Sequence, residues 1–157
     1  MKVWEGRRFS VHLEDGIEYA DSAGAVAIVA KDADDRIVLV RQERPAVGAA
    51  LLELPAGLIE EGEEPLATAR RELREETGLH GGSWEELTSF WSAPGFVRHR
   101  LTIFVAEALE EGEAAPDEGE ELEVVRWPLP EVGARLAEIE DAKTLAGLLL
   151  YLRRRAP

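Results

Sequence analysis

Residues 57–79, GLIEEGEEPLATARRELREETGL, constrain this chain more than any other stretch. Pro65 suits a first helical position and Gly78 a C-terminal cap, which predicts a helix over 65–77. Leu66, Ala69 and Leu73 share one side of that helix and give it an apolar face to bury. Glu72, Glu75 and Glu76 stand at i, i+3 and i+4. At ~100° per residue they fall at about 0°, −60° and 40°, so three carboxylates crowd one arc beside the apolar side. Like charges at that spacing repel, and the arrangement is unfavourable unless a cation sits among them. Arg71, four residues before Glu75, is one such cation. A divalent metal is another. Carboxylate oxygens are hard ligands that suit Mg²⁺ or Mn²⁺, and the segment offers no His or Cys for zinc. The glycine-containing loop over 57–64 lets the chain turn so that a backbone carbonyl also faces such an ion. Spacing alone leaves two readings open: a solvated acidic helix face laced with Arg–Glu pairs, or a cation-binding face.

Composition narrows the chemistry. With 157 residues the chain reads as one α/β domain, 1–157. The net charge of −14 leaves no basic face for displacing the counterions of a nucleic acid. Arg153, Arg154 and Arg155 form a basic run, but they end a predicted helix and complement its dipole. There are no cysteines, which excludes disulfides, thiolate zinc sites and a cysteine nucleophile. No apolar run approaches the ~18 residues of a membrane span, and residues 1–8 form no apolar signal region, so a cytoplasmic location is expected. An acidic protein acting on an anionic substrate needs local cations to offset repulsion, and metal ions would supply them.

Strand and helix signals interleave without repeats. Residues 9–13 and 17–19 alternate around Asp15-Gly16, the signal of a β-hairpin. The apolar runs at 23–30 and 37–40 read as buried strands, and 51–54 is a short extended segment. Strands are expected over 87–92, 101–108 and 124–127, with an acidic loop at 110–123. Helices are expected over 130–139 and 141–155; in the latter Leu145, Leu148, Leu149 and Leu152 make the apolar stripe.

The segment at 57–79 resembles the signature of the Nudix hydrolase family, G-x5-E-x7-R-E-U-x-E-E-x-G-U, with U an aliphatic residue. Gly57, Glu63, Arg71, Glu72, Leu73, Glu75, Glu76, Gly78 and Leu79 fill every defined position. The resemblance implies an α/β/α sandwich with a mixed β-sheet, here preceded by the N-terminal strands at 1–20. It implies Mg²⁺-dependent hydrolysis of a nucleoside diphosphate derivative, with Mn²⁺ as a possible substitute. It also implies that Glu72 and Glu76 bind metal, with Glu75 beside them as a ligand or support. The flanking stretches LELPAG at 52–57 and VRQERP at 40–45 are similar to the ADP-ribose pyrophosphatase branch, as is Pro94 within SAPGF at 92–96.

By that likeness Ala56 ligates metal through its carbonyl, Arg44 contacts the pyrophosphate, and the substrate is ADP-ribose, cleaved to AMP and ribose 5-phosphate. Phe96 joins the substrate-binding set. Glu118 would be the general base, with Glu75 its rival, and Glu120 an additional metal ligand. Where several relatives carry an acidic residue after Pro-Gly-Phe, this chain has Val97-Arg98-His99-Arg100. Either Arg98 or Arg100 binds phosphate there, or the substrate differs. Another nucleotide sugar, a dinucleoside polyphosphate or a nucleoside triphosphate are the alternative substrates, and a non-catalytic nucleotide sensor is the alternative role. In the resembling branch the N-terminal strands pair between subunits, which implies a homodimer.

Overall fold

A computed structural model describes residues 1–115 and 121–156, and every statement below concerns those residues. Strand β4 (Ala25–Lys31) lies at the centre of the larger sheet. Its sequence AVAIVAK is apolar almost throughout because both of its faces are covered. Ala25, Ala27 and Val29 belong to one core cluster and Val26, Ile28 and Ala30 to another, as the two-residue period of a strand demands. Strand β10 (Arg100–Glu107) runs parallel to β4, and β8 (Ser83–Trp91) pairs antiparallel with β10. On the other side lie β5 (Arg36–Arg44) and β11 (Leu122–Pro128), giving the order β11-β5-β4-β10-β8.

Helix α1 (Pro65–Thr77) covers one face of this sheet through Ala69 and Leu73. It ends where Gly78 takes a left-handed φ of 79°, as its C-cap position required. The opposite face is covered by α2 (Leu129–Arg135) and α3 (Ala142–Arg155), which contribute Val132, Leu148 and Tyr151. The result is the expected α/β/α sandwich with a mixed sheet. Each buried Leu, Ile or Val contributes ~1.5–3 kcal/mol against ~0–1 kcal/mol for an exposed ion pair, so the two apolar clusters hold the layers together. No helix among the described residues is long and apolar enough to cross a membrane.

One irregularity makes the site. Strands β4 and β5 pair only at Ala30↔Val38 and Lys31↔Ile37, and then they part. Beyond that point β5 pairs with β6 (Ala49–Glu53), while the start of β4 pairs with β7 (Ala56–Leu58). The chain between β6 and β7 is drawn into the gap, where Ile28 N–H donates to the Pro55 carbonyl at 2.9 Å. This wedge sets Ala56 and Gly57 against α1.

A second sheet stands apart from the first, in the order β1-β2-β3-β9. It contains β1 (Lys2–Glu5), β2 (Phe9–Glu14), β3 (Ile17–Ser22) and β9 (Val97–Arg98). The hairpin β2–β3 turns through Asp15 and Gly16, both at positive φ. Its two outer strands carried no alternation signal. All four β1 residues are exposed and so show no alternation, and β9 is only two residues long. The helix expected over 130–139 is shorter: α2 stops at Arg135, and Leu136–Glu138 tightens into a 3₁₀ turn.

Candidate active site

A cavity of about 770 Å³ opens at the end of the larger sheet where β4 and β10 begin and β5 ends. Arg71, Glu72, Glu75 and Glu76 of α1 line it together with Ala56 and Gly57 of the wedge. Phe9, Ala20 and Val97 of the smaller sheet also contribute to its wall.

Arg71 is the hub of the acidic wall. Its Nη1 donates to Glu72 Oε1 at 2.8 Å and to Glu75 Oε2 at 3.0 Å. Its Nε and Nη2 grip the two Glu63 oxygens, each at 3.1 Å, a two-pronged contact that a planar guanidinium is built to make. These bonds hold the Glu63 carboxyl well below the usual carboxylate range, at about 2, and raise Arg71 further above its ordinary value. The repulsion foreseen among the helix carboxylates is thus partly offset within the chain.

The loop supplies the rest. Ala56 N–H donates to Glu76 Oε2 at 3.3 Å, which keeps the nearly buried Glu76 carboxylate beside the Ala56 peptide. A Cβ on Gly57 would overlap the Glu72 carboxylate, so only glycine lets that carboxylate lie against the loop. The donor set fits a hard divalent cation. The Glu72, Glu75 and Glu76 carboxylates lie on one cavity wall beside the Ala56 peptide, all with hard oxygen donors, and the lining holds no sulfur. Among the described residues no three acidic or imidazole groups already converge on one point, and Arg71 donates to both Glu72 and Glu75.

The other expected residues fall in different places. Arg44 lines the cavity, and its Nε and Nη2 donate to both oxygens of Glu53 at 2.6 and 2.8 Å. Phe96 also lines it. Arg98 is not among the lining residues. Strand alternation sends Val97 and His99 toward the cavity and Arg98 the other way, where it donates to Asp21 at 3.2 Å and to the Tyr19 hydroxyl at 2.8 Å. Its guanidinium also sits 4.8 Å from the Tyr19 ring centroid. Arg100 is turned to Ser89 and to the Trp91 ring, and the cations that line the cavity are Arg8, Arg44, Arg71 and Lys143. Glu118 and Glu120 lie outside the described residues.

The cavity also contains residues that sequence reasoning passed over. His99 lines it, with Nδ1 lying 2.9 Å from the Ser92 hydroxyl; burial and the nearby Lys143 push its pKa down. Lys143 lines it from the first turn of α3. A cation at a helix N-terminus opposes the dipole, and that local misfit was the available signal.

The model of the NUDIX domain family matches residues 21–148. The chain is 39% identical to the ADP-ribose pyrophosphatase of Bacillus subtilis (strain 168), over 97% of this chain and 89% of that protein. It is also 39% identical to the methanol dehydrogenase activator of Bacillus methanolicus, over 78% of this chain and 68% of that one. Among solved structures it is similar to an ADP compounds hydrolase, with a TM-score of 0.82 at 28% identity, over 98% of this chain and 90% of the other. Likeness therefore extends well beyond the motif at 57–79, through the strands that shape the cavity and into α3, and the chain belongs to the Nudix hydrolase family.

Proposed function

We propose that this protein hydrolyses the pyrophosphate bond of ADP-ribose, releasing AMP and ribose 5-phosphate, with Mg²⁺ as its metal. The observation that carries this reading is the acidic face of α1 lying against Ala56 and Gly57 on a cavity of about 770 Å³. That volume is in the range of small-molecule sites, roughly 300–1,000 Å³. The Bacillus subtilis relative is described as an ADP-ribose pyrophosphatase and the solved structure as a hydrolase of ADP compounds, so an ADP moiety is common to both.

Glu72, Glu75, Glu76 and the Ala56 carbonyl are the residues that would hold the metal. When bound, it offsets phosphate charge and lowers the pKa of attacking water. The chain's own groups do the rest. Arg71 fixes Glu72 and Glu75, so the acidic wall keeps its shape. Arg44 offers a guanidinium to the phosphate oxygens, and Phe96 adds apolar surface for a ring. Water forms a bond to one phosphorus, the P–O–P bridge breaks, and a carboxylate takes the water proton. Glu118 has that role in our reading, Glu75 is the alternative, and Glu120 adds a ligand.

A substrate panel tests this. ADP-ribose, other nucleotide sugars, dinucleoside polyphosphates and oxidised nucleoside triphosphates are each assayed with Mg²⁺ and with Mn²⁺. The highest kcat/KM is expected for ADP-ribose, with stoichiometric AMP and no turnover in chelator. A higher value on another class overturns the substrate; no turnover on any leaves a nucleotide sensor.

We further propose that the smaller sheet joins two copies of the chain. Val3, Trp4 and Ile17 on it are 52%, 51% and 63% exposed, apolar side chains that a second copy would cover. Sedimentation at micromolar concentration is expected to give a dimer, and a monomer refutes the proposal.

A further inference from the structure

We infer that Lys143 binds the substrate's phosphate oxygens and that Glu53 is the positioning residue that sets Lys143 and Arg44 at the cavity wall. The inference rests on the pyrophosphatase reading above and adds a second, cationic side to its site.

The argument starts from where Lys143 stands. Asp141 caps α3, accepting from Thr144 N–H at 2.9 Å, so Lys143 falls in the first turn. The exposed amide groups there carry partial positive charge, and a lysine is disfavoured. The chain has lysine at only three positions, 2, 31 and 143, and uses one of them here. It is also largely buried, its side chain 18% exposed, where an ammonium group needs partners. Those partners are present: Nζ pairs with Glu53 and, at 3.0 Å, with Asp141. A residue that opposes its local environment and is then held in place by two carboxylates is the pattern expected at a functional position.

Glu53 explains how it is held. Its side chain is 2% exposed at the end of β6, with both oxygens taken by Arg44 and one also by Lys143. Burial pushes this carboxyl's pKa up, and the two cations outweigh that effect and leave it lowered. Arg44 and Lys143 line the cavity, whereas Glu53 and Asp141 do not. The anions therefore sit behind and the cations in front. The arrangement is stiff, because Leu54 N–H donates to the Thr144 hydroxyl oxygen at 2.8 Å and that hydroxyl donates to Asp141 at 2.6 Å. The start of α3 is thereby locked to the strand that runs on to Ala56, the peptide beside Glu76.

A pyrophosphate carries charge on two phosphoryl groups, and the acidic wall of α1 repels it. Arg44 presents a planar fork and Lys143 a compact point charge, two complementary ways of holding phosphate oxygens. Were Glu53 to lose its charge, both cations would lose the anchor that aims them.

The full-length protein tests this in two ways. First, kcat and KM for ADP-ribose are measured for the wild type and for Lys143→Gln, Lys143→Arg and Glu53→Gln, with thermal melts alongside. Lys143→Gln and Glu53→Gln are expected to raise KM about tenfold, equivalent to ~1.4 kcal/mol of binding, with kcat changed less than about threefold. Lys143→Arg is expected to restore most of the loss, because it returns a cation to the wall; the rise in KM at nearly constant kcat is what a purely structural ion pair has no reason to give. Second, the wild-type protein is acetylated with and without the non-hydrolysable methylene analogue of ADP-ribose, and each lysine is followed by peptide mass spectrometry. At about ten times Kd, labelling of Lys143 is expected to fall about tenfold while Lys2 and Lys31 are unaffected. This arm holds even if a variant fails to fold. A wild type active on ADP-ribose, with KM unchanged in Lys143→Gln or with Lys143 unprotected, overturns the inference alone. A wild type with no turnover sinks the pyrophosphatase reading itself.

Discussion

Replacing Glu76 with Gln is expected to slow turnover of ADP-ribose at least ~10²-fold while leaving the fold intact, a barrier increase of about 2.7 kcal/mol. The substitution keeps the shape of the side chain and an acceptor oxygen for Ala56 N–H, which lies 3.3 Å from the Glu76 carboxylate. The side chain is 6% exposed, and a neutral amide is less costly to bury than a carboxylate. Charge crowding with Glu72 and Glu75 on the same arc also falls. These gains are set against the lost attraction to Arg44, so stability should change little, and a melt followed by circular dichroism checks that. What is lost is a negative oxygen on the wall where the oxygen donors gather, and with it the affinity for a hard cation. A Mg²⁺ titration should move to higher concentration in step with the lost rate. If kcat and the titration midpoint both match the wild type, Glu76 takes no part in metal binding.

How much of this was legible beforehand follows from which residues are related by local geometry. Glu72, Glu75, Glu76 and Arg71 share one helix, and a 3.6-residue period fixes their relative directions whatever the rest of the chain does. Their common wall and the Arg71–Glu75 pair could be read from spacing. The central strand was equally plain, since AVAIVAK is apolar on both faces. The wedge was not. That β4 and β5 pair over two residues and then admit β6 and β7 is decided by tertiary pairing, and so is the approach of Gly57 to Glu72. Arg98 shows the cost of reading a loop without its register. Once Val97 and Arg98 pair with Ala20 and Asp21, alternation settles which side chain faces the cavity, and it is not Arg98. Lys143 lies ninety positions from Glu53, and no local pattern joins them. Only its awkward place at the start of a helix marked it.

Gly57→Ala should separate the wedge's contribution to catalysis from its contribution to folding. A Cβ there would overlap the Glu72 carboxylate, the far end of a flexible side chain, and the carboxylate can swing aside. Gly57 is not among the glycines at positive φ, so alanine adopts this backbone without strain. Stability should change by no more than about 1 kcal/mol, within the usual range for substitutions that break no special feature. The rate should suffer far more, because shifting a positioned group by ~1 Å can cost about 10²-fold, and kcat/KM for ADP-ribose is expected to fall by that order. Gly78→Ala is the informative contrast. It forces alanine into a left-handed φ of 79° and toward the Gly112 carbonyl, away from the Glu72 carboxylate. It should lower stability by more than the roughly 1–2 kcal/mol of the left-handed φ alone, because the Gly112 backbone cannot swing aside as a side chain can, while the surviving folded protein keeps most of its activity. If Gly57→Ala instead lowers the melting temperature as Gly78→Ala does and leaves kcat/KM unchanged, then the closeness of Glu72 to the loop serves folding, and Glu72 has no part in the chemistry.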